Sequence, residues 1–321
     1  MFKLILSIAL FIPALLASGI VDSQIYPARP LRLIVGIAPG GGLDAGARLV
    51  ASKLSEVLGQ PVLVENRAGA GGTIAADAAA KAPPDGYTLF YAASSLLIAP
   101  SLYAKLAFDP VRSFTAVGGV GWEPLVVVVN LAVPARTTAE LIALLKANPG
   151  KYSYGSPGVG SVHHLAMELF RKQAGVDVVH VPYKGASPIL PDLISGVLPM
   201  AIMSAASAVP QARAGKLRPI ALTRPIKLSI APDWPALADT LPGFDVAPAH
   251  FILAPAGTSA EVVGRLSEAL KTVLSTEELK RSFLAQGATA EFAAPEALAA
   301  AIRTNVPKWG ALAKESGARQ E

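Results

Sequence analysis

The sequence has 321 residues, of which 52% are hydrophobic, so it can bury a sizeable core in one large or two medium domains and is not that of a disordered protein. Lys and Arg number 28 against 23 for Asp and Glu, but the basic residues are scattered and only 6% of residues are aromatic, which argues against nucleic-acid binding. The absence of cysteine excludes thiol catalysis, thiolate metal sites, disulfides and lipidation at a cysteine.

The N-terminus has the three-part pattern of a secretory signal. A lysine precedes an apolar stretch over residues 4–16, and small residues follow it. We therefore predict a cleaved signal peptide over 1–23 and a soluble mature protein in the periplasm. The alternative is an uncleaved membrane anchor, but Pro13 and a length below the roughly 20 residues that span a bilayer argue against it.

Strand-like and helix-like segments alternate along the rest of the chain, which predicts parallel sheets covered by helices on both faces. Strands are predicted at 31–37, 61–66, 86–93, 124–130 and 249–257. The last of these is followed by predicted helices at about 258–274, 276–286 and 295–316. Chain crossings between two domains fit at about 122–126 and 245–250.

Three helices carry specific sequence signals. The apolar residues of the first helix recur every three or four positions, which predicts one buried face; they are Leu43, Ala47, Val50, Leu54 and Val57. Thr137 with Glu140, and Thr258 with Glu261, have capping-box spacing at two later helix starts, and Gly150 is predicted to close the helix between 137 and 150.

Glycine-rich turns occur where predicted strands lead into helices. "APGGGLD" spans 38–44, "YGSPGVGS" spans 154–161, and "VPYKG" at 181–185 adds a phenol and a cation. Glycine lets bare backbone approach a ligand, and the first N–H groups of a helix are unpaired donors at its positive end. Because ligands of open α/β sheets lie beyond the carboxyl ends of the strands, these turns predict an anion held between two lobes. Ser161 alone is equally explained as a helix cap.

Other ligand and catalytic motifs are incomplete. "RAGAGG" would need glycine at Ile74 to match a dinucleotide fingerprint, and no phosphate loop of the nucleotide hydrolases is present. Ser156 and Ser161 do not lie in G-x-S-x-G. A serine hydrolase is therefore unsupported, and no cofactor is expected.

The histidines do not form a metal motif. His163 and His164 point about 100° apart on a helix, so only His164 and Glu168 share a face, which is short of the three protein ligands usual for zinc. His180 and His250 stand alone in apolar surroundings and are interpreted as structural residues.

The order of motifs resembles the substrate-binding proteins of tripartite tricarboxylate transporters, the TctC-like family of Bug receptors. The resemblance covers nearly the whole predicted mature chain and rests on "YPARPLRLIVGIAPGGGLDAGARLVASKLSEVLGQPVLVENRAGAGG", "PPDGYTLFY", "PSLYAKLAFDP", "HLAMELF", "VHVPYKG", "ARAGKLRPIALT", "LPGFDV" and "LAPAGT". It implies an α/β, two-lobed class II periplasmic-binding-protein fold, a Venus flytrap in which each lobe is a mostly parallel sheet flanked by helices. The lobes are expected at 24–123 with 249–321 and at 124–248.

The resemblance also implies a non-enzymatic, monomeric receptor that binds a small carboxylate between its lobes and delivers it to the membrane permease subunits of such a transporter. Carried over by position, the ligand-binding residues expected are Pro39, Gly40, Gly41, Gly42, Leu43, Asp44, Ser94, Ser95, Gly155, Ser156, Gly158, Gly160, Ser161, His164, Tyr183, Lys184, Met203 and Ser204. Gly185 completes the pocket edge beside Lys184.

The chain departs from the family pattern at two expected pocket positions, and its segment "AASSLLIAPSLY" at 92–103 is one residue shorter. Many members have Thr where this chain has Leu43, and an Asp-Asn pair where it has Met203–Ser204. Loss of a pocket acid removes a partner for an amino group, so the departures favour a less polar carboxylate over an amino acid as the ligand.

Two other functions are alternatives to transport. A receptor that engages a membrane sensor of a two-component system would use the same closed surface, so the sequence does not separate it from transport. A hydrolase using Asp44 and His164 is disfavoured because no paired acid–base constellation is present.

Overall fold

The computed structural model describes residues 26–39, 42–183, 186, 188–286, 288–316 and 318. The predicted signal peptide lies outside these residues. No helix in the described ranges combines the length and the apolar character needed to cross a bilayer. The apolar run predicted as a strand at 124–130 is a fully buried strand over Leu125–Asn130.

Two β-sheets organise the chain. The six-stranded first sheet has the order β11-β4-β10-β3-β1-β2, and the five-stranded second sheet has the order β7-β6-β8-β5-β9. Strands of the first sheet are β1 (Leu31–Val35), β2 (Val62–Asn66), β3 (Thr88–Ala93), β4 (Phe114–Trp122), β10 (Ala249–Pro255) and β11 (Thr289–Ala293). Strands of the second are β5 (Leu125–Asn130), β6 (Ser153–Ser156), β7 (Val179–Pro182), β8 (Met200–Ser204) and β9 (Leu217–Leu222).

Helices connect the strands and cover the sheets. They are α1 (Gly42–Leu58), α2 (Thr73–Ala80), α3 (Ser95–Leu102), α4 (Thr138–Ala147), α5 (Val162–Ala174), α6 (Ile189–Ser195), α7 (Ala205–Arg213), α8 (Ala260–Ser275), α9 (Glu277–Ala285) and α10 (Pro295–Glu315). α10 packs on α3 and β4 and also reaches α5 of the second sheet, where Lys172 pairs with Glu315 at 2.9 Å.

The predicted two-lobed α/β class is confirmed, but the sheets are mixed rather than mostly parallel. β1 is parallel to β2 and β3, and β6 is parallel to β7 and β8. β10 is antiparallel to both β3 and β4, because the chain leaves the first sheet along β4 and returns along β10. β5 is likewise antiparallel to β8 and β9.

Most predicted elements are present within two residues of their expected ends, with informative exceptions. β6 to β9 were expected from the alternation without stated bounds, and β4 and β11 were not predicted; β4 contains three glycines and so lacks the β-branched pattern of a strand. In α1, Val57 is 38% exposed whereas Leu58 is buried, so the apolar face ends one residue later than its spacing predicted.

Of the two capping boxes predicted from the sequence, the structure has the predicted N-cap residue at one. Thr137 accepts a hydrogen bond from the Glu140 N–H and caps α4, although Asn148, not Gly150, ends that helix. α8 is capped by Ser259, which accepts from the Val262 N–H. Thr258 instead donates its hydroxyl to the Pro255 carbonyl, 2.8 Å away.

Candidate functional site

A cavity of about 320 Å³ lies between the two sheets, beside the segments in which the chain crosses from one to the other. We call it the cleft. The residues that line it are Gly42, Leu43, Gly46, Ala93, Ser94, Ser95, Glu123, Ser161, Val162, His163, Pro248, His250, Phe283, Gln286 and Ala288.

Three helix starts meet at the cleft. The first residues of α1 and α3 reach it from the first sheet, and Ser161, the cap of α5, reaches it from the second. The first N–H groups of a helix have no partner within the helix and carry partial positive charge, so each start favours an anion. The convergence suits a carboxylate, and none of the described lining residues is Lys or Arg.

Backbone hydrogen bonds hold the crossing segments together behind the cleft. The Glu123 N–H donates to the Pro248 carbonyl over 2.8 Å, and the Ser94 N–H donates to the Ala249 carbonyl over 3.0 Å. The Ala249 N–H in turn donates to the Ser94 hydroxyl oxygen over 2.9 Å. Ser94 is therefore fixed, with its hydroxyl hydrogen still able to be donated to a ligand.

Three titratable side chains line the described part of the cleft. Burial raises the pKa of Glu123 to about 7, against a smaller lowering by a hydrogen bond from Ser204. Burial lowers the pKa of His163 and of His250 to about 4, so both imidazoles are neutral at neutral pH. The Nδ1 atom of His250 is buried and has no hydrogen-bond partner in the described structure.

Asp44 does not line the cleft but fixes the start of α1. Its carboxylate is buried and accepts from Asn66 Nδ2 at 2.7 Å and from Arg48 Nε at 3.0 Å. Because Asn66 ends β2, this network ties the beginning of the helix to the sheet. A carboxylate in the first turn also interacts favourably with the helix dipole.

A stack of aromatic rings supports the glycine-rich turn before α5. The His164 ring lies 4.0 Å from the His180 ring, which in turn stacks on Tyr154 at 4.9 Å. His164 Nδ1 accepts from the Gly160 N–H at 3.1 Å, and the Ser156 hydroxyl lies 2.7 Å from His180 Nε2. The turn is therefore held by buried polar contacts.

The structure brings together only part of the set of residues expected from the sequence. Among the described residues, those that line the cleft are Gly42, Leu43, Ser94, Ser95 and Ser161. Those that are not among its lining residues are Pro39, Asp44, Gly155, Ser156, Gly158, Gly160, His164, Tyr183, Met203 and Ser204. Gly40, Gly41, Lys184 and Gly185 lie outside the described residues.

Two of the residues beside the cleft have contacts that explain their position. Ser204 hydrogen-bonds to Glu123 and caps α7, accepting from the Ser207 N–H. Tyr183 donates its hydroxyl to Asp192 at 2.7 Å and its backbone N–H to the Ser156 carbonyl at 2.9 Å. It therefore holds the loop after β7 against the end of β6.

Sequence reasoning missed Glu123 and gave His250 a purely structural role. Both follow from one signal, because they lie in the predicted crossing segments, which are the parts of the chain that must border a cavity between two domains. Phe283, Gln286 and Ala288 reach the cleft from the end of α9 and the segment after it, and no local pattern marks them.

A family model described as the tripartite tricarboxylate transporter family receptor, TctC, matches residues 46–318. The protein BugT of Bordetella pertussis is 35% identical over 322 aligned residues, covering 99% of this chain and 99% of BugT. These matches extend through both sheets.

Solved structures of similar proteins also match this chain over most of its length. The Rhodopseudomonas palustris protein Rpa4515, determined with adipate, is 31% identical with a TM-score of 0.78, covering 92% of this chain and 100% of that one. MatC from Rhodopseudomonas palustris, determined with bound malate, is 29% identical with a TM-score of 0.73, covering 90% of this chain and 100% of that one.

Proposed function

Because the chain belongs to the tripartite tricarboxylate transporter receptor family, we propose that it is a periplasmic receptor that binds a small carboxylate in the cleft. Receptors of this kind bind without catalysis. The N-terminal pattern of a signal peptide supports export, and the relatives solved with adipate and malate support a carboxylate as the ligand. In this proposal the loaded receptor delivers its ligand to membrane permease subunits.

The observation that carries the proposal is the convergence of three helix starts on one cavity with no Lys or Arg among its described lining. A helix start is worth typically about 0.3–1 kcal/mol to a nearby anion, so three of them are insufficient for tight binding. Hydrogen bonds to a desolvated carboxylate supply the remainder. We propose that these come from the backbone N–H groups at the α1, α3 and α5 starts and from the hydroxyl of Ser94.

The lobes of the proposal divide where the chain passes between the sheets, near 124 and 249. Residues 24–123 and 249–321 form one lobe and 124–248 the other, and ligand binding draws them together. The expected site residues that lie behind the cleft then support its walls, while those that line it contact the ligand.

A comparison of acids with their primary amides tests the proposal. A thermal-shift screen of mono-, di- and tricarboxylates and aromatic acids selects the acids that raise the melting temperature, and calorimetry then measures the dissociation constant of each acid and of its amide. We expect the amide to bind about 13- to 160-fold more weakly, the equivalent of the 1.5–3 kcal/mol typical of a hydrogen bond to a charged group. Equal binding of acid and amide contradicts the proposal.

A further inference from the structure

Glu123 places an acidic side chain in the wall of the cleft, although the sequence predicts that a pocket acid of the family is missing at Met203–Ser204. The acid that many family members have at the position of Met203 is absent from this chain, yet Ser204 at the end of β8 hydrogen-bonds to Glu123, which lies in the first crossing segment. The backbone of Glu123 is fixed by its N–H bond to the Pro248 carbonyl. A carboxyl group is thereby held at the wall of the cleft.

Resting on the proposed function, we propose that Glu123 determines which carboxylates bind: it accepts a hydrogen bond from a hydroxyl or ammonium group on the carbon chain of the ligand and excludes a second ionised carboxylate. The three helix starts bind the carboxylate of the ligand, and Glu123 accepts the hydrogen bond from the hydroxyl or ammonium group of the ligand. Two ionised carboxylates in a poorly solvated cavity repel each other, whereas a donor facing Glu123 forms a charge-assisted hydrogen bond.

The other groups that face the cleft do not replace Glu123 in this role. His163 from α5 and His250 from β10 are the other titratable groups among the described lining residues, and both are neutral above about pH 5 because burial holds their pKa near 4. The described lining residues of α1, α3 and α9 are uncharged. Glu123 is therefore the group among them that changes charge near neutral pH.

If Glu123 has this role, the affinity for dicarboxylates and the affinity for acids that carry a hydrogen-bond donor change in opposite directions with pH. Below the pKa of about 7, Glu123 is protonated and can itself donate to a second carboxylate; above it, Glu123 is an acceptor only. Binding of a dicarboxylate should therefore weaken as pH rises through 7, whereas binding of an amino-terminated acid should strengthen.

The test uses succinate and adipate with their hydroxyl- and amino-terminated analogues of equal chain length. Calorimetry on the full mature chain at roughly pH 6 and roughly pH 8.5, on either side of the Glu123 pKa, measures each dissociation constant. At the higher pH we expect the wild type to bind the amino- or hydroxyl-terminated acid at least tenfold more tightly than the dicarboxylate. Glu123→Gln should reduce that ratio to about threefold or less and make dicarboxylate binding independent of pH.

Ser204→Ala provides a second variant that keeps the carboxyl group. The hydrogen bond from Ser204 favours the ionised form of Glu123 and so lowers its pKa. Removing the Ser204 hydroxyl should therefore raise the pH at which dicarboxylate affinity is half lost. If acids bind but neither variant changes the ranking or the pH profile, the role of Glu123 is wrong while the proposed function stands. If no acid of the panel, charged at one end or at both, binds to the folded wild type, the proposed function itself fails.

Discussion

Burial keeps all four histidines of this chain uncharged at neutral pH. It is the largest effect on each of them, lowering the pKa of His163, His180 and His250 to about 4 and that of His164 below its usual range. Under the proposed function, the described part of the cleft meets its anion without a protein cation, through backbone N–H groups and hydroxyls. In such a site the position of each donor matters more than the net charge of the protein.

Ser161 is the residue at which a helix cap lines the cleft. Its hydroxyl accepts from the His164 N–H at 3.1 Å and its side chain lines the cleft. We expect Ser161→Ala to lower the free energy of unfolding by about 1 kcal/mol, as is usual for loss of a helix cap. It should also weaken binding of the best acid about 2- to 13-fold, because the Ser161 hydroxyl donates to the Gly158 carbonyl at 2.8 Å, a bond of about 0.5–1.5 kcal/mol, and so holds the turn whose N–H groups face the cleft.

Ser259→Ala is the matched control for this variant. Ser259 caps α8 in the same way, accepting from the Val262 N–H at 3.3 Å, and is not among the residues of the cleft. Urea unfolding should show a similar loss of stability for both variants, whereas calorimetry should show weaker binding for Ser161→Ala alone. Unchanged affinity in Ser161→Ala would mean that Ser161 is only a cap.

Residue roles were predictable from the sequence where one local pattern determines them. The cap at Ser161 follows from a serine before an amphipathic helix, and the structure has that hydrogen bond. Glu123 lies in a predicted crossing segment, but no local motif marks it, because its place in the cleft also depends on Pro248, more than a hundred positions away in the chain, which holds that segment in position. Thr258 failed as a cap because Ser259 beside it offers an equivalent hydroxyl one residue nearer the helix.

At the scale of elements, the turn from β6 into α5 combines a strained backbone with a helix start. Gly158 has φ +149°, and its carbonyl accepts from the hydroxyls of Ser161 and Ser156 at 2.8 and 3.2 Å. A methyl group on Gly158 has room, since its nearest neighbour is the Tyr183 carbonyl at 3.5 Å. Substitution there would strain the backbone that positions Ser161 without filling the cleft.

We expect Gly158→Ala to weaken ligand binding by more than it lowers the stability of the ligand-free protein. Gly175→Ala, at the far end of the same helix, is the control, because Gly175 has φ +62° and open space around the added methyl. Residues forced into such conformations lose roughly 1–3 kcal/mol of stability, so both variants should unfold at lower denaturant. Loss of affinity in both, or in neither, would contradict a role for this turn in the cleft.

Helices and strands whose hydrophobic residues recur at a regular spacing were predicted well, and those without such a spacing were not. The alternation of strands and helices predicted the α/β class, and the stripe along α1 placed Ala47, Val50 and Leu54 in the core. β4 was missed because its glycines obscure the pattern, although one of them, Gly119, allows the close approach of Ala293 in β11. The antiparallel pairing of β10 depends on the path of the whole chain, which no local window contains.

At the scale of the whole molecule, the crossing segments separate two cavities. Glu123, Pro248 and His250 border the cleft, whereas Trp122 and Ala249 border a cavity of about 290 Å³ on the other side. Arg224, which follows β9, lies over the Trp122 ring at 4.5 Å in this second cavity. The two cavities therefore share one wall, formed by the crossing segments.

We expect a bound carboxylate to draw the two sheets together, because helix starts on both must reach the same anion to desolvate it. The sequence has no cysteine, so Val57→Cys with Val197→Cys places two spectroscopic labels uniquely, one on α1 and one after α6, at side chains that are 38% and 75% exposed. The distance between these labels should shorten when the best acid of the screen is added, and the radius of gyration from small-angle scattering should fall. The control pair, Val179→Cys with Val197→Cys, has both labels on the second-sheet side and should keep its distance. Tight binding with no change in either the label distance or the radius of gyration would show that the cleft takes its ligand without closing, and that one set of helix starts holds the carboxylate alone.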